Sequence, residues 1–169
     1  MQLLLTDTAT LESNGDLPLD VFDKFGKVTK FYNMTREELL TAAADKDIIL
    51  CNKTVIDREI MNAAPNLRYI GLFATGYNNI DIAAAKEKGI TVCNAGSYST
   101  NAVTQQVIGY ILMHYTKIPQ YDAFVKQGGW KCSGVFSPLI FSGDEVYGKT
   151  LGIVGYGNIG KAVEKAAEG

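Results

Sequence analysis

The chain has 169 residues, 47% of them hydrophobic and 20% charged, with a net charge of -2 at pH 7. That balance fits one folded domain or parts of two and excludes a disordered chain. The slight negative charge argues against nucleic acid or an anionic membrane surface as the main partner, and no apolar run approaches the roughly 20 residues that span a bilayer.

The segment Met1-Gln2-Leu3-Leu4-Leu5-Thr6-Asp7 has no basic flank and is expected to be a first strand, not a signal peptide. Strand expectations follow at 28–32, 48–51, 68–73 and 91–93. Thr35-Arg36-Glu37-Glu38 has the form of a capping box, opening a helix to about Ala44. Further helices are expected at 57–63 and 81–88, the latter stopped by Gly89 in a left-handed conformation. Strands and helices alternating at this spacing predict right-handed βαβ units and a doubly wound parallel sheet over 1–97.

From Thr100 to Thr116 the periodicity predicts one long helix. Val103, Val107, Ile108, Ile111, Leu112 and Tyr115 form its expected buried face. A helix is expected at 120–126, and 128–148 reads as irregular. Residues 150–154 are expected to form a buried strand, followed by a helix over 161–168. The three cysteines, Cys51, Cys93 and Cys132, are widely spaced and odd in number, which predicts free thiols in a reducing cytosol.

Between that last strand and helix lies Gly155-Tyr156-Gly157-Asn158-Ile159-Gly160, a G-x-G-x-x-G turn. Gly155 permits the tight turn, Gly157 lets a pyrophosphate approach the backbone, and Gly160 lets the helix pack closely on the strand. Dinucleotide binding is therefore expected, against the plainer reading of an ordinary glycine turn. The acidic residue that would choose between NAD and NADP belongs ~20 residues further on, past Gly169.

Three stretches in register are similar to the D-isomer-specific 2-hydroxyacid dehydrogenase family. One is Phe73-Ala74-Thr75-Gly76-Tyr77-Asn78-Asn79-Ile80-Asp81 with Gly89-Ile90-Thr91-Val92. Another is Asn94-Ala95-Gly96-Ser97-Tyr98-Ser99-Thr100 leading to Val103-Thr104-Gln105. The third is Gly148-Lys149-Thr150-Leu151-Gly152-Ile153-Val154 with the glycine turn. The resemblance covers essentially the whole chain and leans toward the glycerate dehydrogenase (hydroxypyruvate reductase) branch. Gly96 departs from it, standing where the family usually has proline.

The resemblance implies a flavodoxin-like substrate domain at 1–97 and, at 98–169, the start of a Rossmann NAD(P)-binding domain, truncated after its first strand, turn and helix. It implies hydride transfer between NAD(P)H and a small 2-oxo or D-2-hydroxy acid, NAD being the expected cofactor and NADP left open. The catalytic arginine, glutamate and histidine are expected downstream, so this chain alone is expected to be inactive.

The backbone of Ala74, Thr75 and Gly76 is expected to receive the substrate carboxylate, with Thr75 also facing the cofactor. The plainer reading of that segment is a strand-ending turn. Lys53 follows the third strand as a candidate cation for the carboxylate, against a solvated lysine, and Asn52 precedes it. Tyr98 either lines the substrate pocket or packs at a hinge. Thr104 is a candidate cofactor contact or an ordinary helix residue. Gly155, Gly157, Asn158, Ile159 and Gly160 are expected to hold the pyrophosphate, and no metal ligands are expected.

His114, the sole histidine, has no acidic residue at helical spacing and is read as structural. Trp130, Phe136 and Phe141 lie in a loop that the resemblance assigns to a homodimer contact. Two rival readings are kept: a non-enzymatic NAD-sensing, corepressor-like relative, and an inactive interaction-only fragment.

Overall fold

In the computed structural model, residues 1–11, 15 and 17–168 are described. The chain divides into two compact units, Met1–Gly96 and Ser97–Gly169.

The first unit is a five-stranded sheet with all neighbours parallel: β1 (Gln2–Leu5), β2 (Lys27–Lys30), β3 (Ile48–Cys51), β4 (Tyr69–Leu72) and β5 (Thr91–Cys93), in the order β2-β1-β3-β4-β5. That is the flavodoxin-like order, in which the connections reverse direction between β1 and β3. The central strands are apolar on both faces, as expected for a sheet covered on both sides.

One face carries α1 (Arg36–Ala42), α2 (Arg58–Ala63) and α3 (Ile82–Glu87). Leu39, Ile60, Met61, Ala84 and Ala85 from these helices bury against Leu4, Ile49, Cys51 and Ile70. The opposite face holds Leu5, Leu19 and Leu50, packed by a 3-10 stretch over Leu19–Phe25 that the sequence reading did not foresee. Phe22 of that stretch meets Phe73 edge-on at 5.8 Å.

Local signals set the helix ends. Thr35 and Glu38 exchange both bonds of the capping box. The side chains of Asp57 and Asp81 cap α2 and α3, so those helices begin one residue later than expected. Gly89 ends the α3 region at φ +69.

The second unit is helical: α4 (Thr100–Thr116), α5 (Ile118–Lys126), α6 (Gly129–Cys132) and α7 (Asn158–Ala167). Lys117, left-handed at φ 57, turns the chain from α4 into α5. α4 packs on α7. The short helix α6 lies inside the stretch expected to be irregular; its first residue, Gly129, sits so close to the Phe124 ring that any side chain there would collide with it.

Two expectations fail in this unit. Residues 150–154 form no strand, and Leu151 and Val154 are exposed. A strand exists only as a member of a sheet, and among the described residues no other segment pairs with this one. The buried face of α4 is also only partial. Val107, Ile108, Ile111 and Tyr115 are half-buried, whereas Val103 and Leu112 are exposed; only Thr104 is buried. Within the unit α7 is its main packing partner, so one stripe is covered and the rest faces outward.

Candidate functional site

The carboxyl ends of β3, β4 and β5 lie side by side at one edge of the sheet, where open α/β folds take their ligands. Each carries a sequence-predicted segment. Asn52 and Lys53 follow β3, Phe73 to Gly76 follow β4, and Asn94 to Gly96 follow β5. Phe73 extends the ladder by donating to the carbonyl of Cys51 at 2.9 Å, and Ala95 donates to the carbonyl of Ala74 at 3.0 Å.

The side-chain amide of Asn94 donates to the carbonyl of Thr75 at 2.7 Å. In a trans peptide the C=O and the following N–H point in opposite directions. The carbonyls of Ala74 and Thr75 are held toward the β5 side, so the N–H groups of Thr75 and Gly76 point away from it, toward the β3 side. Among the described residues neither N–H meets a protein acceptor. Thr75 and Gly76 are exposed while Ala74 is buried. The result is a pair of solvent-accessible backbone donors, suited to a carboxylate.

The β3 exit is fixed by a residue that the sequence reading missed. Asp7, after β1, is only 5% exposed. Its carboxylate accepts from the backbone N–H of Asn52 at 2.9 Å, Lys53 at 2.5 Å and Thr54 at 3.1 Å. The Thr6 hydroxyl lies 3.1 Å from Asp7 Oδ1 and 2.8 Å from Thr54 Oγ1. One hydroxyl carries one proton, so Thr54 donates to Thr6 and Thr6 donates to Asp7. The amide of Asn79 ties this loop to the β4 exit, donating to the carbonyl of Thr54 at 2.7 Å.

Lys53 is exposed and lines a cleft of about 450 Å³ with Asp7, Asn33, Thr35 and Arg36 on the α1 side. Thr75 and Gly76 do not line that cleft, so the structure does not gather Lys53 and the two N–H donors into one pocket. Among the described residues Lys53 forms no ion pair, whereas Arg36 is held by Asp57 and Glu59. Cys51, at the end of β3, is buried; burial, assisted by the nearby Asp7 carboxylate, pushes its thiol up to about 12. Cys93, on the edge strand, and Cys132, in α6, are exposed, and all three thiols are free.

In the second unit the glycine turn has the shape its spacing implies. Gly155 adopts φ +93. A side chain at Gly160 would sit 2.5 Å from the carbonyl oxygen of Gly155 and 3.3 Å from Ile153, so this position must be bare. Gly157 is different: nothing lies within 4 Å of where its Cβ would be. That open approach leads to the N-terminus of α7, where Asn158 and Ile159 form the first turn. Unpaired N–H groups and the positive end of the helix dipole suit a phosphate there.

Thr104 is buried in α4, its hydroxyl donating to the carbonyl of Thr100 at 2.8 Å, which is a helix-packing job. Tyr98 is 70% exposed. His114 is exposed and lies edge-on to Tyr115 at 5.4 Å.

A parallel sheet with free donors at its carboxyl edge, followed in the chain by a glycine turn into a helix, defines an α/β protein of the doubly wound kind. The chain belongs to the D-isomer-specific 2-hydroxyacid dehydrogenase family, whose catalytic-domain signature matches residues 6–165. A hydroxypyruvate reductase of Blautia hydrogenotrophica is 39% identical over 136 residues, 78% of this chain and 41% of that protein. A glyoxylate reductase of Thermococcus onnurineus is 38% identical over 140 residues, 82% of this chain and 42% of that protein.

An acyclic imino acid reductase, solved with NADPH and D-Arg, matches with a TM-score of 0.77 at 27% identity, covering 99% of this chain and 53% of its own. The chain thus spans about two-fifths of the length of these curated relatives. Among the described residues, no helix is long and apolar enough to cross a membrane.

Proposed function

We propose that this chain is the front portion of an NAD(P)-dependent oxidoreductase acting on a small 2-oxo acid or its D-2-hydroxy acid, of the glyoxylate or hydroxypyruvate kind. The observation that carries the reading is the pair of unpartnered N–H groups on Thr75 and Gly76, fixed by Asn94 and the Ala74–Ala95 bond. Residues 1–97 serve as the substrate domain and 98–169 as the opening of the nucleotide domain.

The backbone at Ala74, Thr75 and Gly76 binds the substrate carboxylate. Backbone donors suit this job because they bind the anion without any change of protonation. Lys53, on the neighbouring loop, offers a flexible cation at the adjoining cleft. Thr104 steadies α4, its hydroxyl donating to the carbonyl of Thr100. Gly155, Gly157, Asn158, Ile159 and Gly160 hold the pyrophosphate: bare at Gly160 for close packing, open at Gly157 for approach. The nicotinamide, when bound, supplies or takes the hydride.

By the family resemblance, the arginine, glutamate and histidine that complete the chemistry belong to the part of the relatives that this chain does not span. The isolated 169-residue chain is therefore inactive, works as a homodimer in its parent enzyme, and resides in the cytoplasm, where its free thiols stay reduced.

Titrating glyoxylate into the 15N-labelled chain tests the carboxylate reading. The amide resonances of Thr75 and Gly76 should shift together and saturate. Shifts confined to other residues, or none, would contradict it.

A further inference from the structure

The carboxyl edge holds a second anion-shaped site, and the chain fills it itself. Three consecutive N–H groups, from Asn52, Lys53 and Thr54, converge on one buried carboxylate, that of Asp7. Such a run of amides is an anion nest. It stands between the exits of β1 and β3, the switch point at which this strand order usually receives its ligand. With Asp7 in place, that position is taken.

What Asp7 does to the neighbouring ladder follows from its register. In a parallel pair, the residue that accepts from its neighbour also donates to it, and the pattern repeats every second residue. The carbonyl of Cys51 accepts from Phe73. One step further, Lys53 N–H would donate to the carbonyl of Phe73, and the carbonyl of Lys53 would accept from Thr75 N–H. Instead Lys53 N–H turns to Asp7 Oδ2 at 2.5 Å, and Thr75 N–H is left without a partner.

We propose that Asp7 is the positioning residue of the carboxylate receptor: it draws residues 52–54 toward β1, ends the β3–β4 pairing one step early, and so frees the Thr75 N–H for substrate. The proposal rests on the reading of Thr75 and Gly76 as that receptor. Asp7 touches no substrate and acts only through the 52–54 loop, with Thr6 and Thr54 supplying the hydroxyl relay that orients its carboxylate.

The test is the Asp7→Asn substitution in the full 169-residue chain, with glyoxylate as the probe. Losing the charge weakens three backbone bonds, each worth more than a neutral one, so glyoxylate affinity should fall roughly tenfold or more. The amides of Asn52, Lys53 and Thr54 should also exchange faster with solvent. A merely structural Asp7 would lower the melting temperature and leave the glyoxylate affinity of the folded variant unchanged; that result overturns the proposal.

If the unaltered chain binds no glyoxylate, the receptor reading fails and the role of Asp7 toward substrate fails with it. Exchange at 52–54 then decides the clamp alone, and unchanged rates overturn it. Should Asp7→Asn not fold, Thr54→Val removes only the hydroxyl that feeds Thr6 and should weaken glyoxylate in the same direction. Unaltered affinity in that variant overturns the proposal.

Discussion

Cys51 lies one residue before the loop that Asp7 clamps and has no exposed surface, while Cys93 and Cys132 are exposed. The thiolate is the reactive form, and burial pushes the Cys51 thiol up to about 12. Ellman's reagent should therefore label Cys93 and Cys132 rapidly in the native chain and Cys51 only after denaturation. Fast labelling of Cys51 under native conditions would contradict its place in the core.

The same shift has a pH consequence. Between the ordinary value of 9.0 and about 12, the folded chain keeps a proton that the unfolded chain releases. The unfolded state then binds fewer protons, so stability from this group falls as pH rises through that window, by at most about 1.4 kcal/mol per pH unit. Denaturant titrations of the parent and Cys51→Ala chains across this range should differ in slope; parallel curves would refute the shift.

At this scale the sequence was readable where chemistry is local. Gly89, Thr35 and the glycine turn each act on neighbours within a few positions. Asp7 was not readable, because its partners lie 45 to 47 residues away and only the β1–β3 pairing brings them together. Lys53 was found by position, but its place at the α1 cleft depends on a loop whose backbone is bound by Asp7.

Elements with a local start signal came out of the sequence with their ends nearly right, and α1 is the clearest case. Its capping box satisfies donors that the helix itself cannot, so Thr35→Ala should cost about 1 kcal/mol, read as a lower denaturation midpoint. An unchanged midpoint would mean that tertiary packing alone defines that end. The segment 150–154 is the opposite case. Its apolar, β-branched composition is that of a strand, but strand formation needs a hydrogen-bonded neighbour, and none is present among the described residues. The 3-10 stretch Leu19–Phe25 and the short helix α6 lacked a periodic pattern long enough to read.

The glycine turn gives a paired prediction. Gly160→Ala places a methyl 2.5 Å from the Gly155 carbonyl, and overpacking of that kind costs about 1–3 kcal/mol. Gly157→Ala meets nothing within 4 Å and has φ -86, which alanine accepts, so stability should barely change. Equal melting temperatures for the two variants would contradict the packing assigned to the third glycine.

Among the described residues, the first unit has a well-covered core, whereas in the second Val163 is the one large apolar side chain that is buried. In Met1–Gly96 both sheet faces bury apolar side chains. In Ser97–Gly169 large apolar groups face outward, among them Phe136 at 90%, Leu139 at 89% and Tyr147 at 90% exposure. Exposed apolar surface on this scale is characteristic of interaction faces, and the proposed homodimer would cover it. Light scattering at micromolar concentration should report a dimer or larger; a clean monomer would contradict the proposed homodimer.

Whether the carboxyl edge of the sheet receives a 2-oxo acid is settled most directly by a crystal structure of the chain with glyoxylate. The receptor reading predicts its carboxylate within hydrogen-bond distance of the N–H groups of Thr75 and Gly76, with Asp7 still bound to residues 52–54. Glyoxylate seated elsewhere, with those two N–H groups unoccupied, would contradict it.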